Sequence, residues 1–260
     1  MLTGTLDGGI LPWEIFTSDV LALPGQRTQW CVPVFPHACA TELALRSPVH
    51  RAFHGKSRGS SRKPPTRLVI GVESRNSLTR HQLHAWLAGF GKSPEPEVVF
   101  KFLPIDLMLK AMEADAIDGF IAATPWGLVA EENQLGLLDR TFTPGKYAQQ
   151  LVIACRRTEP LSGLAAMPGL AAAIGQARSL LTAPDAFRDA ADQMAASGKP
   201  LLRAESLIAA ARLHGLPADA LDVVPDADRF TEELRRLESL SLLPPQIAAG
   251  EQTAKLLRIS

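Results

Sequence analysis

The sequence predicts an α/β protein built in two pieces, and three observations carry that expectation. Apolar strand-like runs alternate with helical segments between Leu68 and Ala123. One short pattern is written twice, LDGGILPW from Leu6 to Trp13 and IDGFIAATPW from Ile117 to Trp126. Between the two copies lies Arg46–Arg67, which holds seven Lys/Arg and no acid around a Gly/Ser core and a Pro pair.

In chain order, Gly8–Leu11 reads as a short buried strand ending at Pro12-Trp13, and Thr28–Phe35 (TQWCVPVF) as a second strand rich in Val and aromatics. The basic stretch 46–67 reads as a solvated, mobile connector. A nucleic-acid surface is disfavoured there, because aromatic and basic residues do not alternate as base stacking would need. After the connector, Leu68–Glu73 (LVIGVE), Glu97–Leu103 and Ile117–Ala123 read as strands, with helices at Leu78–Phe90 and Asp106–Ala114. This β-α-β-α-β order calls for a parallel sheet with crossover helices. Tyr147–Cys155 is one more strand. From Leu161 the chain turns Ala/Leu-rich with helical spacing, as in Ser206–Leu213 and Phe230–Leu240.

Composition narrows the function classes. Lys plus Arg equals Asp plus Glu, 27 each, so net charge points to neither an acidic partner nor nucleic acid. Cys31, Cys39 and Cys155 are scattered and odd in number, against a disulfide framework and without zinc spacing; no metal and no cofactor are expected. No apolar run approaches the ~18 residues of a membrane span, and no basic-then-apolar leader opens the chain. A Gly-x-Ser-x-Gly elbow, a cysteine–histidine signature and a phosphate-binding glycine loop are all missing, so no catalytic residue is expected.

The doubled segment carries the functional reading. In each copy a strand begins at an Asp-Gly pair and its carboxyl end bears Pro-Trp. In open α/β sheets, ligands bind outside the carboxyl ends of the strands. Trp13 and Trp126 therefore stand either where a ligand would be, one on each half of a clamp, or as plugs at a sheet end.

Phe102–Gly136 (FLPIDLMLKAMEADAIDGFIAATPWGLVAEENQLG), the helix with Ala85-Trp86-Leu87-Ala88-Gly89, and LTGTLDGG near the start resemble the solute-binding proteins for nitrate, bicarbonate and sulfonates that serve ABC importers. The likeness covers most of residues 1–155. It implies a type II periplasmic-binding-protein fold, with two α/β lobes around a ligand cleft and a small solute trapped by hinge closure. Lobe I would comprise residues 1–62 and 145–260 and lobe II residues 63–144. The resemblance further implies an anionic or polar solute of the nitrate, bicarbonate or taurine class, an ABC permease as partner, a periplasmic location, and no enzymatic activity.

Three departures shape the expected site. The chain begins at the family's third strand, which implies that a strand-helix-strand unit of lobe I and any leader are missing. Thr79-Arg80 stand where nitrate-type members carry His-Asn, leaving Ser77 and Thr79 as caps and Arg80 as an anion contact. Thr124 replaces the acid that precedes Pro-Trp, which weakens a calcium-assisted reading. The expected ligand set is Trp13, His37, Ser77, Thr79, Arg80, Thr124 and Trp126. Two alternatives stand beside the importer. A cytoplasmic nitrate-type sensor would fit a genuine leaderless start, and a thiamine-pyrimidine-synthase-like enzyme is disfavoured by isolated cysteines and the lack of a His cluster.

Overall fold

The structure is a computed structural model that describes residues 8–21, 30–34, 38–55, 65–75, 77–90, 97–143, 149–156, 183–198, 201–214 and 227–242, with a few helical positions between 169 and 179. It divides into two compact units: residues 1–38, 149–186 and 217–260, and residues 39–148 and 187–216.

The first unit is organised on strand β9 (Gln149–Arg156). Strand β1 (Gly8–Pro12) pairs with it antiparallel, Gly8 opposite Cys155 through Pro12 opposite Leu151, and β2 (Trp30–Val34) pairs antiparallel on its other side. The short β3 (Ala38–Cys39) also pairs with β9. Alternation explains β9: Val152 and Ala154 are buried while Leu151 and Ile153 are half-buried. Beyond β1 the chain turns into α1 (Trp13–Ile15) and a wider helical turn, Phe16–Leu21; Trp13 and Phe16 are fully buried with ring centroids 5.8 Å apart.

The second unit is a sheet covered by helices on both faces. Its strands are β4 (Thr41–Leu45), β5 (Arg67–Val72), β6 (Glu97–Phe102), β7 (Gly119–Ala123) and β8 (Leu137–Leu138), in the order β6-β5-β7-β4-β8. β5, β6 and β7 are parallel, as the alternation predicts, while β4 runs antiparallel to both β7 and β8. The two-residue period of the strands sorts the core. Leu43, Leu45, Leu68, Ile70, Val72 and Ile121 face one layer, with Val49 and Phe53 of α2 (Ser47–His54) and Leu83, Trp86 and Leu87 of α3 (Thr79–Ala88). Ala44, Phe120 and Ala122 face the other, with Ile105, Met108, Leu109 and Met112 of α4 (Ile105–Glu113) and Val129 and Ala130 of α5 (Trp126–Glu132). The chain returns through α6 (Pro184–Ala195) and α7 (Ala204–Leu213) to this unit, and α8 (Ala227–Ser239) belongs to the first.

Residues 39–55 lie in the second unit, where β4 pairs with β7 along its whole length, Thr41 opposite Ala123 to Leu45 opposite Gly119. The solvated connector is corrected for Ser47–His54, which forms α2 with a proline in its first turn. Val49 and Phe53, four residues apart, drop into the apolar layer, and Phe53 packs 4.9 Å from Trp86 and 5.2 Å from Phe90. Residues 56–64 of that stretch lie outside the described residues.

The doubled pattern forms the same local unit twice, strand into Pro-Trp into helix, as β1–α1 and β7–α5. In β7 the Asp-Gly pair has a packing reason. Asp118 accepts from the Val69 amide at 2.9 Å and from Arg46 at 2.8 Å, tying β5 and β7 to the end of β4. A Cβ at Gly119 would collide with the Ala44 carbonyl oxygen, so close β4–β7 pairing requires glycine.

Candidate functional site

The carboxyl ends of the parallel strands β5 and β7 open into two helix starts. After β5 the chain enters α3 through Ser77 and Leu78. The Thr79 amide, the first of the helix, donates to Ser77 Oγ at 3.2 Å, two residues back. Ser77 and Thr79 are 3% and 4% exposed, and Thr79 Oγ1 is buried without a hydrogen-bond partner among the described residues. One turn on, fully buried Gln82 accepts from Thr41 Oγ1 at 3.1 Å. Arg80 is exposed, and its guanidinium lies 5.0 Å over the Phe100 ring, a cation–π contact. Burial, with His84 and Arg80 nearby, holds His81 below the ordinary histidine pKa.

After β7, the cis Thr124–Pro125 turn leads into α5. Its first amides face Glu42 of β4, which is 2% exposed. Glu42 Oε2 accepts from the amides of Gly127 at 2.7 Å and Leu128 at 3.2 Å. Its Oε1 accepts from the Thr124 hydroxyl at 2.9 Å and lies 2.8 Å from His214 Nε2 on the turn closing α7. A buried carboxylate with charge-assisted bonds at a helix start is electrostatically satisfied. Gly127 is required for this approach, since a Cβ there would come 2.7 Å from Glu42 Cβ.

Glu42 also lines a cavity of about 220 Å³ with Thr41, Asp139, Arg140, Phe142 and His214. On its rim, Asp139 has a fully buried side chain and Arg140 pairs with Glu131 at 2.6 and 2.9 Å. Burial alone would raise the Asp139 pKa, but bonds from the Thr141 hydroxyl and amide and from His54 outweigh it and hold the carboxyl below its usual range. His54 Nε2 lies 2.6 Å from Asp139 Oδ2, and His50 Nε2 lies 3.9 Å from the same oxygen.

The expected ligand residues fall in different surroundings. Ser77 and Thr79 stand together at the start of α3, whereas Arg80 points to the Phe100 ring. Thr124 is engaged by Glu42, and half-buried Trp126 packs on the apolar layer of α4 and α5. Trp13 lies in the core of the first unit, and His37 lies outside the described residues. Sequence reasoning missed Glu42, His214 and the His50–His54–Asp139 group. A lone acid in the otherwise apolar ATELAL and the i,i+4 histidine spacing in VHRAFH were the available signals.

The profile of the NMT1-like family matches residues 37–195. No curated protein matches the chain. Among solved structures, the chain is similar to the periplasmic nitrate-binding protein NrtA from Synechocystis (13% identity, 99% of this chain and 73% of that one, TM-score 0.66). It is also similar to the alkanesulfonate-binding protein SsuA from Xanthomonas axonopodis pv. citri, solved with MOPS (14%, 96% and 81%, 0.60). A third neighbour is the ligand-binding component of an ABC-type import system from Staphylococcus aureus, solved with zinc (17%, 94% and 77%, 0.61). These neighbours are binding proteins rather than enzymes, and at such identities the likeness establishes a shared periplasmic-binding-protein fold.

Proposed function

The chain belongs to the NMT1-like family, and from that membership we propose that it is the solute-binding component of an ABC importer for a small anion of the nitrate or sulfonate class. The observation that carries the reading is the start of α3. Two buried hydroxyl residues, Ser77 and Thr79, stand where a ten-residue helix begins just beyond β5, and the Thr79 hydroxyl has no partner of its own among the described residues. Helix N-terminal amides and their dipole favour an oxyanion there. At α5 the protein's own Glu42 carboxylate already takes the amides, which directs an external anion to α3. A permease partner and a periplasmic location follow from the same reading. Among the described residues no helix is long and apolar enough to cross a membrane.

The test is a thermal melt of the purified chain with millimolar nitrate, nitrite, bicarbonate, taurine and short alkanesulfonates. A ligand at ~100 times its Kd adds about 2.7 kcal/mol, a shift of a few degrees. Thr79→Val removes the hydroxyl while keeping the volume, and it is expected to abolish most of the shift. The reading fails if no solute moves the melt, or if Thr79→Val responds like the parent.

A further inference from the structure

We propose that His50, His54 and Asp139 form a site for one divalent transition-metal ion, zinc being the best match to the donor set. His50 and His54 are four residues apart on α2, so both imidazoles project from one face of the helix. Their ring centroids are 4.5 Å apart. Asp139, just after β8, presents its side chain to that face, and the three donor atoms lie within 4.8 Å of one another.

A hydrogen bond between His54 and Asp139 accounts for only part of this arrangement. His50 Nε2 is aimed at the same carboxylate oxygen at 3.9 Å, too far to bond it. A cation placed among the three gives both imidazoles and Asp139 Oδ2 one common partner. Four-coordinate zinc with ligands at about 2.1 Å sets its donor atoms about 3.4 Å apart. Relative to that spacing, the His54–Asp139 separation of 2.6 Å opens and the His50–Asp139 separation of 3.9 Å closes, each by under about 1 Å. The remaining pair, His50 to His54, lies within 4.8 Å and closes by at most about 1.4 Å.

The surroundings are those of a prepared ligand. Asp139 Oδ1 accepts from the Thr141 amide at 2.9 Å and hydroxyl at 2.6 Å, which leaves Oδ2 turned to the histidines. Thr141 Oγ1 is itself held by Trp86 Nε1 at 3.3 Å. The His54 ring stacks edge-on to Phe90 at 5.2 Å, fixing its plane within a partly apolar shell. Outer partners of this kind orient metal ligands and tune their affinity. Two imidazoles and one carboxylate suit zinc and its first-row neighbours better than calcium or magnesium, which prefer oxygen donors. The ion would join α2 to the turn that carries Asp139 and Arg140 on the cavity wall. This proposal stands apart from the anion reading, because it involves neither Ser77 nor Thr79.

The test uses the full chain, stripped of metal and titrated with Zn²⁺ against a chromophoric chelator, with Co²⁺ added separately to report geometry. The expected result is one equivalent bound with micromolar or tighter Kd, a Zn²⁺-dependent rise in melting temperature, and the visible bands of four-coordinate Co²⁺. His50→Ala and Asp139→Asn are each expected to weaken binding at least about 10-fold, the scale on which ligand-shell changes act. His50 makes no hydrogen bond to Asp139, so its variant keeps the fold and carries the test even if the Asp139 variant is unstable. Binding that is unchanged in His50→Ala would overturn the proposal, as would a parent chain that binds Zn²⁺ no better than that variant.

Discussion

Glu42→Ala is expected to unfasten the start of α5. The parent carboxylate is 2% exposed and takes the amides of Gly127 and Leu128, the Thr124 hydroxyl and His214. Hydrogen bonds to a charged group contribute about 1.5–3 kcal/mol each when removed singly. They do not add here, because water entering the vacated space re-satisfies some donors, so the loss is set at about 3–5 kcal/mol, on the order of two such bonds. With a urea m-value of about 2 kcal/mol per M, the midpoint falls by roughly 1.5–2.5 M. Glu42→Gln keeps the shape but turns an NH₂ toward two donors or toward Thr124 and His214, and is expected to lose about half as much. Urea unfolding followed by tryptophan fluorescence reads the global term. Amide hydrogen exchange at Gly127 and Leu128 reads the local one, with faster exchange expected in both variants. A midpoint within ~0.3 M of the parent, together with unchanged exchange at those two amides, would refute the assignment of Glu42 as the cap of α5.

Two further outcomes follow from the same unit. Asp118→Ala removes the acceptor for the Val69 amide and the Arg46 partner at once, and is expected to cost about 1.5–3 kcal/mol; a urea midpoint matching the parent would show that Asp118 is not the tie between β5 and β7. The Arg140 guanidinium, hydrogen-bonded to Glu131, holds that carboxyl below its ordinary value of 4.5. A depressed folded pKa means stability that is present above about 4.5 and lost as pH falls through the lower folded value. Arg140 is 58% exposed, so the contribution is under about 1 kcal/mol. Comparing acid-induced loss of stability in the parent and in Arg140→Gln, the parent is expected to lose slightly more between pH 6 and about 3, and equal losses would remove the pair from the account.

The sequence by itself determined the α/β class, the two strands that end at Pro-Trp, and the parallel β5–β6–β7 core with its crossover helices. That core depends on contacts within some 55 residues, where apolar periodicity and turn residues act directly. Only the tertiary structure decided the rest. Thr41–Leu45 carries an acid within an apolar run, and it forms β4 because β7 and β8 pair on its two sides and bury all five residues. Ser47–His54 looks solvated in sequence, and becomes a helix because Val49 and Phe53 find an apolar layer built from residues far along the chain. The chemistry of Glu42 and Asp139 comes from partners 82–172 and 85 positions away. Such long-range pairings leave no periodic trace, since the free energy that holds them comes from burial and hydrogen bonding that exist only once the sheet has closed.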